Sequence, residues 1–273
     1  MRSMLRYALF TLPGPGDAIL AATAARGLAP LLLVHAEPGD FAASAIRRVP
    51  GDDPRLVETL RESGVEAILV AGWDCRIPVA DFDWLKLGAW NVHPSLLPRY
   101  RGFNPYFWVI ANGETESGVT VHRLTDQFDA GPILLQRRLA LRTDETLASL
   151  WQRLSAEGAA AVCEALPLIA GGAPLLGEQA PGDWPKAPRV TPAMLLLAPN
   201  RMKEENARLV RAANPFYGAV LRDGERLIKV FEVSADGDGP LVLCRDGHLV
   251  ASVVQTEEQG LMTGAQYRRL YPA

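Results

Sequence analysis

Short, wholly apolar runs separated by helical stretches constrain this chain most. Leu31 to Val34 and Ala67 to Ala71 contain no polar residue. A strand without alternation is buried on both faces, as in parallel sheets covered by helices. Tyr7 to Thr11 reads as a first strand, and Ile19 to Arg26 as an alanine-rich helix stopped by Gly27. Pro54 to Ser63 reads as an amphipathic helix, with Asp53 as N-cap and Gly64 as stop. Trp90-Asn91-Val92 looks like the end of a further strand. The alternation predicts an α/β fold: a Rossmann-like, mostly parallel sheet with helices on both faces and right-handed crossovers.

Downstream, Asn104 to Gly113 reads as a helix, Gly118 to His122 as a strand and Asp126 to Gly131 as a tight loop. Ile133 to Leu141 returns as a strand, and Thr146 to Ile169 is a long helix. Residues 171–199 are rich in Gly and Pro and read as a surface linker. Lys203 to Arg211 is a short helix. Asp223-Gly224, Asp236 to Gly239 and Asp246-Gly247 are hairpin signals. The expected division is a larger α/β domain over 1–170, the linker over 171–199, and a small β-rich, OB-like domain over 200–273.

The formal net charge of -3 provides no global field for nucleic acid or an anionic membrane. No apolar run approaches the ~20 residues that span a bilayer. Arg2 and Arg6 precede an apolar stretch, and Ala22-Thr23-Ala24 would suit a signal-peptide cleavage site. Pro13 to Asp17 interrupts that stretch with turn formers and a charge, so Leu5 to Leu12 reads as a buried strand instead. Cys75, Cys163 and Cys244 are odd in number and form no C-x-x-C pair, which fits a reducing, cytoplasmic compartment. The four histidines and three cysteines are scattered, and no metal site is expected.

In open α/β sheets, ligands sit beyond the carboxyl ends of the strands. Asn91 and His93 fall where a strand runs out, two residues apart and able to face one cleft. Asp129 sits in a loop, with Gly131 permitting a sharp bend. Acyl transfer to an amine needs donors for a developing oxyanion and a group that takes the amine proton. An amide, an imidazole and a carboxylate supply these without a nucleophilic Ser or Cys, and no nucleophile-elbow motif is present. Singly, each residue has an ordinary reading: Asn closing a turn, His before Pro as a structural residue, Asp capping a loop. Their combination with Ser95-Leu96-Leu97-Pro98 and Gly118-Val119-Thr120 is far more specific.

Asn91-Val92-His93-Pro94-Ser95-Leu96-Leu97-Pro98, then Arg101-Gly102, Gly118-Val119-Thr120 and Asp129-Ala130-Gly131-Pro132-Ile133 resemble the 10-formyltetrahydrofolate-dependent formyltransferases. That group includes glycinamide ribonucleotide transformylase, methionyl-tRNA formyltransferase and the sugar-amine N-formyltransferases. The likeness is strongest from about Ala71 to Leu150. Residues 190–273, through Arg211 to Pro215 and Val254 to Met262, resemble the small C-terminal domain of the methionyl-tRNA type. The resemblance implies 10-formyltetrahydrofolate as formyl donor and Asn91, His93 and Asp129 as catalytic residues. Asn91 and His93 would polarise the formyl oxygen, and Asp129 would orient His93 or relay the amine proton. The pterin would lie against Trp73, Arg76, Ile77, Pro78, Leu97, Asp126, Gln127 and Phe128. Arg76 stands where transformylase relatives carry an arginine near the folate, with one extra residue after Gly72. Trp73 is open to a second reading as core, and His122 reads as a strand residue flanking the site.

The acceptor is less determined. Arg99 and Arg101 would meet anionic groups of a substrate or else form a solvated pair. Trp108 would wall the amine pocket, where sugar-type relatives carry a Trp. The acidic charge balance and the dispersed pairs Arg47-Arg48, Arg137-Arg138 and Arg268-Arg269 disfavour tRNA. A small-molecule amine is therefore the expected acceptor. Methionyl-tRNA formyltransferase is the alternative, followed by a formyltetrahydrofolate hydrolase or a folate-binding module without turnover. The β-rich tail is open to use as a homodimer interface or as a lid.

Overall fold

A computed structural model describes residues 5–35, 46–73 and 76–272. The sequence readings that involve Arg2 and Cys75 lie outside those residues. The chain divides into two units, one of 1–103, 117–139 and 152–186, the other of 104–116, 140–151 and 187–273. No helix among the described residues is long and apolar enough to cross a membrane.

The first unit carries a seven-stranded sheet. Its strands are β1 (Tyr7–Thr11), β2 (Leu32–His35), β3 (Arg47–Pro50), β4 (Ala67–Ala71), β5 (Gly88–His93), β6 (Glu116–Arg123) and β7 (Ile133–Ala140), in the order β3-β2-β1-β4-β5-β6-β7. The first five run parallel to one another, and β6 runs antiparallel to β5. Every residue of β1 and β4 is buried, as the unbroken apolar runs predict. Side chains alternate across a strand, and the register sets Ala8 beside Leu32 and Ile68, and Phe10 beside Val34 and Val70. These six form one apolar cluster with Val49, Leu56, Leu60 and Phe82. Tyr7, Leu9 and Thr11 are buried on the opposite face.

Helix α1 (Pro15–Ala24) begins four residues before the expected start at Ile19. The Pro-Gly stretch is the helix entry as well as a turn: Pro15 has φ pre-set for a first turn, and Gly14 N–H donates to Asp17 Oδ2 at 2.9 Å. Helix α2 (Leu56–Glu62) starts later than expected, because Asp53 Oδ1 accepts from Arg55 N–H at 2.8 Å in a turn ahead of the helix. Strand β3 had no apolar signature: only its Val49 is buried.

The second unit contains α3 (Pro105–Ala111), which packs on α5 (Lys203–Ala213). Between them in sequence, α4 (Leu147–Ala170) begins in this unit and continues in the first. An antiparallel sheet follows: β8 (Ala219–Asp223), β9 (Arg226–Ser234), β10 (Leu241–Cys244), β11 (Gly247–Gln255) and β12 (Leu261–Thr263). Its order is β8-β9-β11-β10, with β12 on β11. Asp223 pairs with Arg226 and Cys244 with Gly247, so two of the expected turns are hairpins. Asp236 to Gly239 is not a hairpin, because β11 lies between β9 and β10. A final helix, α6 (Gly264–Leu270), is entered through a capping box in which Thr263 Oγ1 accepts from Gln266 N–H and Thr263 N–H donates to Gln266 Oε1.

Candidate active site

The antiparallel pairing of β5 with β6 places the polar residues of both strands together. Asn91 lies opposite His122, and His93 opposite Thr120. Residues two apart share a strand face, so all four project from the same side. The carboxyl-end location expected from sequence therefore becomes a site on the face of the last strand residues.

The loop after β5 curls back over this face. Ser95 Oγ donates to Arg99 O at 2.7 Å, and Tyr100 holds φ 60°. Thr120 Oγ1 donates to Ser95 O and accepts from Leu97 N–H and from Gln136 Nε2, which also donates to Leu97 O. The loop between β6 and β7 closes with Arg123 N–H donating to Pro132 O at 2.9 Å. A Cβ at Gly131 would collide with the Arg123 carbonyl oxygen, so the bend requires glycine. Asp129 sits in this loop at φ 51°, a conformation that non-glycine residues adopt at a cost.

These two loops bring Asn91, His93 and Asp129 together. Asn91 Nδ2 lies 3.1 Å from Asp129 Oδ1 and 3.1 Å from His122 Nε2. His93 Nδ1 and His122 Nε2 lie 3.5 and 3.6 Å from the same carboxylate oxygen. Asp129 Oδ2 accepts from Gly102 N–H at 3.0 Å. His93 Nε2 is 2.8 Å from Tyr100 O, and His122 Nδ1 is 2.9 Å from Arg123 O.

The chemistry of these partners assigns the hydrogens. A backbone carbonyl only accepts, so neutral His93 carries its hydrogen on Nε2 and neutral His122 carries its own on Nδ1. His93 Nδ1 is then a bare lone pair facing Asp129, and His122 Nε2 is an acceptor facing Asn91. The amide atom of Asn91 nearest a carboxylate must be the nitrogen, and it divides its two hydrogens between Asp129 and His122. Burial pushes the His93 imidazole below the ordinary histidine range, against the upward pulls of Asp129 and the Tyr100 carbonyl. Burial also raises the Asp129 carboxyl, but His93, His122 and the Gly102 N–H outweigh it and hold the group well below the usual carboxylate range. Burial thus favours the neutral form of His93, and its neighbours favour the ionised form of Asp129.

The other expected residues are placed variously. Trp73 and Ile77 pack against the apolar cluster of the sheet, Trp73 edge-on to Phe10 at 5.5 Å. Leu97 is buried, Arg76 lies 4.0 Å from Asp126 in an exposed pair, and Phe128 is exposed. Pro78 leads into a short 3₁₀ turn, and Gln127 O accepts from Thr125 Oγ1. The Arg99 guanidinium lies over the Tyr100 ring, and Arg101 donates twice to Gln179 Oε1. Trp108 belongs to the second unit, where its indole N–H donates to Pro188 O. His122 lies, as expected, on a strand flanking the site, and it also reaches Asn91 and Asp129; Gln179, hidden in the Gly/Pro-rich segment, is a participant the sequence reading does not include. The pairing of His122 with Asn91 could have been found from a β5-β6 register. Gln179 carries no local signal.

A formyl transferase family model matches residues 26–166. Methionyl-tRNA formyltransferase of Myxococcus xanthus is 33% identical over 232 residues, covering 78% of this chain and 73% of that protein. Among solved structures, HypX from Aquifex aeolicus, in complex with tetrahydrofolic acid, superposes with a TM-score of 0.69 at 17% identity. That match covers 97% of this chain, which spans 47% of the HypX chain. A sugar N-formyltransferase from a Shewanella species has a TM-score of 0.69 at 17% identity, covering 86% of this chain and 99% of that one. Both structures show likeness of fold. The family match and the identity to the Myxococcus enzyme carry the assignment: this chain belongs to the formyl transferase family.

Proposed function

We propose that this chain transfers the formyl group of 10-formyltetrahydrofolate to an amine, with Asn91, His93 and Asp129 as its catalytic residues. The observation that carries the reading is the meeting of an amide nitrogen, an imidazole nitrogen and a backbone N–H around one ionised carboxylate. The folate supplies, when bound, a formyl group carried on nitrogen. Apolar surface at Trp73 and Ile77 and the exposed Phe128 ring have the chemistry that a flat bicyclic group needs. With Arg76, Pro78, Leu97, Asp126 and Gln127 they are the proposed donor-binding residues. Arg99, Arg101 and Trp108 are the proposed acceptor-side residues, and 1–170 the proposed catalytic segment.

His93 acts as the proton acceptor. Its Nε2–H is engaged by Tyr100 O, so the proton arrives at Nδ1. There it converts a 3.5 Å approach into a charge-assisted hydrogen bond to Asp129. Asn91 supplies the donor for a developing oxyanion. The hydrogen it turns to the His122 ring nitrogen, not the one held by the carboxylate, is the one released to substrate. No side-chain nucleophile is needed, since the amine attacks; as the bond from the formyl carbon to the folate nitrogen breaks, the proton taken from the amine passes to that nitrogen.

The methionyl-tRNA amine is the acceptor best supported, because relatives that match over most of this chain are methionyl-tRNA formyltransferases. A small-molecule amine is the second reading, favoured by the net charge of -3 and the dispersed arginine pairs. Incubation with 10-formyltetrahydrofolate and each acceptor separates them. Tetrahydrofolate release that depends on methionyl-tRNA, or on a small amine, identifies the acceptor. Release without any amine would mean hydrolysis, and binding without release would overturn the catalytic reading.

A further inference from the structure

The Gly/Pro-rich segment after α4 sends one side chain into the catalytic loop. Gln179 Nε2 donates to Asp129 O at 2.7 Å and to Gly131 O at 2.9 Å. Gln179 Oε1 accepts from Arg101 Nε at 2.9 Å and Nη2 at 2.6 Å. Both amide hydrogens and both acceptor positions are engaged. Arg101 directly precedes Gly102, whose N–H holds Asp129 Oδ2. Asp129 is thereby gripped at both ends, its carboxylate by Gly102 and Asn91, its carbonyl by Gln179. A residue at φ 51° persists only where its surroundings hold it there.

We propose that Gln179 is a positioning residue for formyl transfer: its amide staples the Asp129 turn so that the carboxylate lies against His93, and Arg101 fixes the amide. This rests on the function proposed above. Gln179 touches no reacting atom and acts through Asp129. Arg101 then serves the site through Gln179.

The test uses Gln179→Met, which keeps the length without the donors, and Gln179→Ala. Both are uncharged, so neither adds or removes a charge among those facing His93, namely Asp129, His122 and Arg101; Arg101 loses its Gln179 acceptor in both. Circular dichroism establishes folding, and the two variants differ enough in bulk that one remains usable. Expected is a fall in kcat of about 10- to 100-fold, with KM for 10-formyltetrahydrofolate within about twofold of wild type. The decisive readout is the His93 titration followed by NMR of labelled histidine. Asp129 pulls that midpoint upward, so a loosened turn lowers it further. A His93 midpoint unmoved in a folded variant overturns the proposal, even where kcat falls. If wild type forms no product with any amine, the functional reading fails, while the titration still decides whether Gln179 positions Asp129.

Discussion

Nitrogen atoms of Asn91, His93 and His122 crowd one oxygen of Asp129, and the proposed chemistry rests on that crowding. Asp129→Asn replaces the carboxylate with an amide that cannot stabilise a proton on His93 Nδ1. His93→Ala removes the acceptor itself. Each variant is expected to lose about 10²- to 10⁴-fold in kcat with its fold intact, checked by single-turnover kinetics beside circular dichroism. Near-wild-type rates in both would remove the trio from the mechanism. The pH dependence follows from the burial of His93. In the proposed mechanism turnover needs the neutral ring, so kcat is expected to fall as pH drops through a midpoint below the ordinary value of about 6.5. Asp129 stays ionised throughout that range and adds no second limb. The stability linkage has the same sign. The folded value of His93 is depressed, so its contribution is complete above about pH 6.5 and declines as pH falls toward the folded midpoint. Between pH 7.5 and 5, the Tm of wild type should therefore fall more than that of His93→Gln. Parallel Tm profiles would contradict the burial argument.

At the scale of elements, the site depends on two loops locked to β6. Thr120→Val keeps the shape of a fully buried residue but deletes the hydroxyl joining Ser95 O, Leu97 N–H and Gln136. Leaving those groups without this partner should cost about 1–3 kcal/mol, measured by denaturant unfolding. Gly131→Ala drives a methyl into the Arg123 carbonyl oxygen and must shift the Asp129 loop. It should lower Tm and kcat together, whereas a loss confined to Tm would show that Asp129 keeps its place. Legibility also varied by element. β1 and β4 were readable because burial on both faces leaves no polar residue in the run. β3 was not, since an edge strand with one buried side chain has no such signature. Asp236 to Gly239 has hairpin composition, but its flanking strands are separated by β11, a matter of sheet order that turn residues do not encode.

For the whole molecule, net charge bears on the acceptor. A tRNA acceptor bound through phosphate contacts would show a KM that rises steeply with salt, because each neutralised phosphate releases counterions. A small amine would show little change. Measuring KM for each acceptor between 50 and 200 mM salt, a range over which phosphate binding weakens about 10³-fold or more, distinguishes these cases. A flat methionyl-tRNA KM would count against recognition through the tRNA backbone.

Local patterns sufficed for the class of fold and for singling out Asn91, His93 and Asp129 as the proposed trio, because strand burial and motif residues are written within short windows. What they could not carry is proximity. His122 joins Asn91 only through an antiparallel register, and Gln179 reaches Asp129 across 50 residues of chain. The directions of the His93 and Asp129 pKa shifts were likewise decided by packing. Both depend on which groups surround a side chain once water has been excluded, and that is a property of the folded coordinates alone.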